Sequence, residues 1–251
     1  MPDISATNVL TVTSAGTSYT GETFTSLRDA TTGSSTDDTS DGQDIGYTHA
    51  SARGGHFYNF HRVFAAFDTS GISVTPAVAT LKIYGKANPS YMSNADFFVV
   101  KGTQGSGDPS TADFDAIAGW DTTNAADGRG NGDQEGNVTK YTAEWVNGTT
   151  AWDESDYNEL ILTSDALDDM ASLTAFYICI IESTHDLNDD NATVALLNGM
   201  YFDGEYQDRE PVISYTAGAA GYGHNVIGVA SANISAVNGV ATANISKVNG
   251  V

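Results

Sequence analysis

Three histidines stand close together in a polar stretch, His49, His56 and His61, around Gly54-Gly55. Imidazole is the commonest protein ligand for transition metals, so these residues could hold one, although their spacing follows no familiar zinc pattern. Carboxylates offer a second chemistry. Asp37, Asp38, Asp41 and Asp44 crowd one loop, and Asp186, Asn188, Asp189 and Asp190 another. Oxygen-only donors in turn-rich backbone suit Ca²⁺, which is the cofactor expected at Asp37, Asp38, Asp41 and Asp44 if any is bound. The other reading is a pair of solvated acidic loops, since neither follows the EF-hand spacing with its terminal Glu. Aromatic residues offer a third chemistry. Tyr47, Phe57, Tyr58, Trp120 and Trp152 lie in loop-like contexts. Exposed rings there could stack on a sugar, with Tyr47, Tyr58, Trp120 and Trp152 as the glycan-binding set, or could form a protein interface. Trp145 reads as core.

Patterns that would announce an enzyme are missing. There is no Gly-x-Ser-x-Gly, His-Glu-x-x-His, P-loop or dinucleotide fingerprint. Adjacent acids such as Asp168-Asp169 are expected by chance among 32 Asp and Glu, so they do not argue for a glycosidase pair. Cys179 is the only cysteine, which rules out an internal disulfide. It sits in the apolar run Phe176-Tyr177-Ile178-Cys179-Ile180-Ile181 and reads as a buried small hydrophobe rather than a nucleophile. No catalytic residue is expected.

The elements that must carry these residues are strands. The chain has 251 residues, of which 40% are apolar and 17% charged, and the polar remainder is rich in Gly, Ser, Thr, Asn and Asp. That composition suits short strands and many turns. The net charge of −22 disfavours nucleic acid and anionic membrane surfaces as partners, because both are held by clustered Lys and Arg. It fits either solubility in salty water or carboxylate-lined cation sites. No apolar run is long enough to span a bilayer. The start, Met1-Pro2-Asp3-Ile4, has no signal-peptide character and reads as a true initiator. That favours synthesis in a cytoplasm and assembly there, with a removed secretion signal as the alternative.

Strands are expected at Asn8–Val12, His61–Asp68, Ala79–Tyr84, Phe97–Lys101, Glu159–Thr163, Thr174–Ile181, Ala192–Leu197 and Pro211–Tyr215. Thr174–Ile181 is apolar at nearly every position, as a central strand covered on both faces would be. Phe67 and Tyr84 are expected to point inward from paired strands, and Arg62 and Asp68 to form a polar pair at the mouth of a sandwich. Thr31 to Asp44 reads as a loop, and Tyr141 to Gly148 as one helical turn with a Gly cap. Eight or more short strands indicate an all-β fold, a sandwich of the jelly-roll type.

Three blocks together resemble the DNRLRE family of surface-protein domains, a jelly-roll group that overlaps carbohydrate-binding modules. The first is Arg62-Val63-Phe64-Ala65-Ala66-Phe67-Asp68-Thr69-Ser70-Gly71-Ile72, followed by Ala79-Thr80-Leu81-Lys82-Ile83-Tyr84. The second is Thr142-Ala143-Glu144-Trp145-Val146-Asn147-Gly148. The third is Tyr201-Phe202-Asp203-Gly204-Glu205 with Arg209-Glu210-Pro211-Val212-Ile213-Ser214-Tyr215. The resemblance spans residues 1–217 and implies a jelly-roll β-sandwich without catalysis. The third block departs from the family's usual Ser-x-Glu.

Residues 218–251 form a second unit, a Gly/Ala/Asn-rich tail. Gly228-Val229-Ala230-Ser231-Ala232-Asn233-Ile234-Ser235-Ala236-Val237-Asn238 is followed by Gly239-Val240-Ala241-Thr242-Ala243-Asn244-Ile245-Ser246-Lys247-Val248-Asn249, with nine of eleven positions identical. Asn-Gly pairs at 238–239 and 249–250 predict tight turns. The tail has too little apolar side chain to fold alone. Val229, Ile234, Val237, Val240, Ile245, Val248 and Val251 are therefore expected to dock on a partner chain or to trimerise, with a disordered linker as the alternative reading of the tail. The repeat resembles tails on structural proteins of marine bacteriophages. The combined expectation is a non-catalytic virion protein, a head decoration or fibre-like component. Its partners would be capsid or tail proteins and further copies of itself. It would be assembled in the host cytoplasm and then be extracellular. The alternative is a carbohydrate-binding module of a secreted or cell-surface protein.

Overall fold

A computed structural model describes residues 2–37, 42–52, 55–87, 94–121, 133–192, 194–204, 209–218, 236–237 and 240–241. The fold is all-β and sandwich-like. Ten strands make one curled antiparallel sheet: β1 (Asp3–Thr17), β2 (Ser35–Asp37), β3 (Gln43–Ala52), β4 (Gly55–Asp68), β5 (Val78–Tyr84), β6 (Phe97–Lys101), β7 (Tyr157–Ile161), β8 (Ala175–Glu182), β9 (Leu196–Phe202) and β10 (Val212–Thr216). The path is β6-β8-β4-β1-β10-β5-β7, with β2 on β1, β3 on β4 and β9 on β3.

Two long strands organise the sheet. β4 serves two partners: Gly55–His61 pair with β3 and Val63–Asp68 with β8, while β1 runs along its length. β1 changes partner as it goes. Asp3–Ser5 pair with β10, and the later residues pair with β4 and β2. The register slips between Thr7 and Leu10, where Asn8 has φ 55°. Asn tolerates that left-handed geometry better than most residues, and the bulge lets one strand join both halves of the curl.

Strand periodicity places apolar side chains on both faces of the central strands. In β4, Val63, Ala65 and Phe67 enter one core, while Tyr58, Phe60 and Phe64 enter another. In β8, Phe176, Ile178 and Ile180 enter the first, Cys179 and Ile181 the second. The expected two-sided central strand is therefore present. The first core is closed by the curled-over strands through Leu81, Ile83, Leu160 and Ile213. The second is closed by a short helix α1 (Phe24–Arg28), whose Phe24 and Leu27 cover the sheet, together with Phe114, Ile117, Val138 and Leu187 from loops.

Several expectations need correction. Tyr84 does not enter the core. Period two in β5 sends Ala79, Leu81 and Ile83 inward, so Tyr84 faces outward against Tyr157, with Arg209 4.4 Å over its ring. β5 pairs with β10 and β7, not with β4. Thr142–Trp145 is extended, not helical: Trp145 and Phe97 exchange backbone hydrogen bonds of 2.8 and 3.1 Å, and their rings stack. β2 and β3 begin inside the segment read as a loop, and β9 runs from Leu196 to Phe202 rather than from Ala192. A second helix, α2 (Ser164–Ser172), was not expected. Thr163 caps it by accepting from the Ala166 N–H, and Ala166 and Met170, four residues apart, are its buried stripe. The tail contributes a separate two-stranded sheet, β11 (Ala236–Val237) and β12 (Val240–Ala241).

Candidate functional sites: a buried arginine clamp and a histidine pair

The strongest electrostatic feature lies beneath the loops of the second core. Arg28 and Arg62 are both fully buried. Arg62, on β4, grips Asp186 with Nε to Oδ2 at 2.8 Å and Nη2 to Oδ1 at 2.6 Å. Its Nη1 donates to the Phe114 carbonyl at 2.7 Å and its Nη2 to the Arg28 carbonyl at 2.9 Å. The guanidinium lies between the rings of Phe114 and Trp120, 4.0 and 4.1 Å from their centroids. Arg28, at the end of α1, donates to the carbonyls of Asp186 and Leu187 and pairs with Asp29 at 2.8 Å. A planar fork of five donors suits this work, which a lysine could not copy. Arg62 has four of its donor directions committed and both flat faces covered. Chemically this is a clamp that ties α1, β4 and two loops together, and it leaves no face for a ligand.

Asp186 sits in the π-helical turn Ser183–Leu187, which is capped by Glu182 at the end of β8. The Glu182 carboxylate accepts from the backbone N–H groups of Thr184, His185 and Asp186 at 3.0, 2.6 and 2.9 Å. The Asn198 amide donates to it at 2.8 Å. Burial pushes its pKa up to about 8, against the opposing pull of those backbone donors.

The histidines separate by strand parity. His49 follows Tyr47 on one face of β3, and His56 precedes Tyr58 on the same face of β4. His61 has the opposite parity and turns to Asp44 at 3.2 Å and Thr13 at 3.2 Å. The three-histidine cluster therefore does not form. His49 and His56 do meet: His49 Nε2 lies 2.9 Å from His56 Nδ1, and His49 Nδ1 lies 2.8 Å from the Val194 carbonyl. His49 is buried and stacks on Tyr58 at 5.0 Å, while His56 is exposed.

The chain matches no protein-family model and no curated protein.

The other expected site residues are placed as follows. Tyr47 is fully buried among Phe24, Phe60 and His185, and burial raises its hydroxyl pKa far above the ordinary value. Tyr58 is buried beneath His49. Trp152 belongs to the first core, edge-on to Trp145 and Phe97. Trp120 is half-buried over the two arginines. Tyr47 and Tyr58 offer no open ring face because β3 and β4 are strands of a two-sided sheet rather than loops, and Trp152, though outside the strands, is buried in the first core. Asp37 is exposed on β2, and Asp44 is buried against His61. Asp38 and Asp41 lie outside the described residues. Among the described residues, no group of three or more His, Cys, Asp or Glu is arranged to hold a metal. Arg62 and Asp68 do not pair: Arg62 takes Asp186, while Asp68 accepts from the Ser70 N–H. Cys179 is buried, and burial raises its thiol pKa far above the usual range. In the tail, Val237 pairs antiparallel with Val240, while Asn238 and Gly239 between them lie outside the described residues. Val229, Ile234, Ile245, Val248 and Val251 lie outside the described residues.

Sequence reasoning missed Arg28, Glu182 and the true partner of Arg62. One signal was present: a chain with only 10 basic residues places Arg62 at the head of an apolar strand. Nothing local points to Asp186, which is 124 residues away.

Proposed function

We propose that the protein is a non-catalytic structural component of a virus particle. In this reading a jelly-roll-type domain faces outward, and the repeat tail anchors it to the particle or to further copies of itself. The supporting observation is the division of strand pairing. β1–β10 satisfy one another within residues 3–216, whereas β11 and β12 pair only with each other. Among the described residues, no strand of the domain pairs with the tail. The Asn-Gly pair between β11 and β12 recurs in sequence after eleven residues, at 249–250. The buried clamp fits a rigid module better than a catalytic one, since its charges are mutually consumed. The expected glycan-binding set lends the carbohydrate-binding alternative no support, since Tyr47, Tyr58 and Trp152 are buried and Trp120 packs over the arginines.

Light scattering on the full chain and on a form ending at Gly218 tests the proposal. The full chain is expected to form defined oligomers. The shortened form should be a monomer with unchanged circular dichroism. A monomeric full chain at all accessible concentrations, with no affinity for particle proteins, would overturn it.

A further inference from the structure

We propose that His49 and His56 form a bidentate site for a tetragonal divalent transition metal, Cu²⁺ or Ni²⁺. The argument is geometric. His49 Nδ1 faces the Val194 carbonyl at 2.8 Å and must carry the proton of that hydrogen bond. In the neutral ring this leaves the Nε2 lone pair directed at His56 Nδ1, 2.9 Å away. The carbonyl contact is the outer hydrogen bond that fixes tautomer and orientation in metal-ligating histidines. Stacking on Tyr58 at 5.0 Å and 18° holds the His49 ring further, so one ligand is already in position before metal arrives.

The two ligand nitrogens are already in hydrogen-bond contact at 2.9 Å, so a small rotation of the exposed His56 ring brings both lone pairs onto one ion. Imidazole affinity rises along the first-row divalent series to a maximum at Cu²⁺, and tetragonal nitrogen and oxygen coordination belongs to Cu²⁺ and Ni²⁺. The exposed side of His56 leaves the remaining positions to water. Without metal, the neutral pair shares one hydrogen bond, with His56 Nδ1–H donating to His49 Nε2. On binding, that proton moves to His56 Nε2 through solvent, so two lone pairs face the metal and no net proton is released. The net charge of −22 raises the local concentration of divalent cations.

The test uses the full chain without a histidine tag, titrated with CuCl₂ and followed by electron paramagnetic resonance and calorimetry. One equivalent is expected to give a tetragonal spectrum with hyperfine structure from two nitrogens. His56→Ala, on an exposed side chain, should lower affinity at least about tenfold and remove one nitrogen from the spectrum. His61→Ala, on the opposite face, should leave both unchanged. His49→Gln provides a second variant, and its circular dichroism reports whether it folds. Unaltered affinity and spectrum in His56→Ala, or loss of binding in His61→Ala, would overturn the assignment.

Discussion

Replacing Arg62 by Met isolates the energetic role of the clamp. The substitution keeps roughly the length of the side chain and its packing between Phe114 and Trp120, but removes the charge. It leaves the Asp186 carboxylate buried with neither of its Arg62 hydrogen bonds, and the carbonyls of Phe114 and Arg28 without that donor. Breaking a buried pair from one side costs about 3–5 kcal/mol, most of it the penalty of an uncompensated charge. A domain of this size loses about 2–4 °C of Tm per kcal/mol, so a drop of roughly 6–20 °C is expected. Asp186→Leu alone should cost a similar amount by stranding Arg62. The double variant Arg62→Met/Asp186→Leu removes both charges together and should be at least ~2 kcal/mol more stable than the sum of the single losses implies. Urea unfolding of the four proteins, followed by circular dichroism, gives each term. Single losses under about 1 kcal/mol, or strictly additive losses in the double variant, would refute the claim that this pair is desolvated and mutually dependent.

Glu182 should give stability a pH dependence. Its folded pKa of about 8 lies above its unfolded value, so the native state binds the extra proton between those limits. The contribution is full at acidic pH below the usual carboxylate range and is lost as pH rises through about 8. Unfolding curves from pH 5 to 9 should show this fall, and Glu182→Gln should flatten it; an unchanged slope in the variant contradicts the assignment. Gly46→Ala should destabilise by about 1–3 kcal/mol. A Cβ there would meet the Asn198 carbonyl at 2.3 Å on a backbone of φ +153°, forcing β3 and β9 apart. Thermal unfolding reads the loss, and an unchanged Tm would mean the two strands are not in that register.

The fold was legible where a single local signal decided it. Phe97–Lys101 is β6 with the bounds expected, and the apolar run at 174–181 marked β8 as a strand covered on both sides. The signal failed where partners were distant. Tyr141–Gly148 carries helix-like residues and a Gly, but pairing with Phe97 and stacking of Trp145 hold it extended. The aromatic residues of β3 and β4 looked like loop decorations because both faces of those strands are covered, which erases the polar alternation that marks a half-exposed strand. α2 announced itself weakly, through Thr163 as cap and Asp165 in the first turn, and both were hidden among many other Thr and Asp residues. Of the candidate sites, the nearness of His49 and His56 could be read from their closeness in sequence around Gly54-Gly55. The exclusion of His61 could be read only from strand parity. The arginine clamp joins residues from α1, β4 and the 183–187 turn, and no local pattern encodes it.

The central claim is that the repeat tail gains order from neighbouring copies and not from its own domain. Amide hydrogen exchange on the full chain, in its assembled form and again at a dilution where light scattering shows single chains, measures this directly. Protection at Ile234, Val237, Val240 and Ile245 is expected in the assembly and should vanish in the monomer, while β4 and β8 stay protected in both. Equal protection of the tail in the monomer would contradict the account.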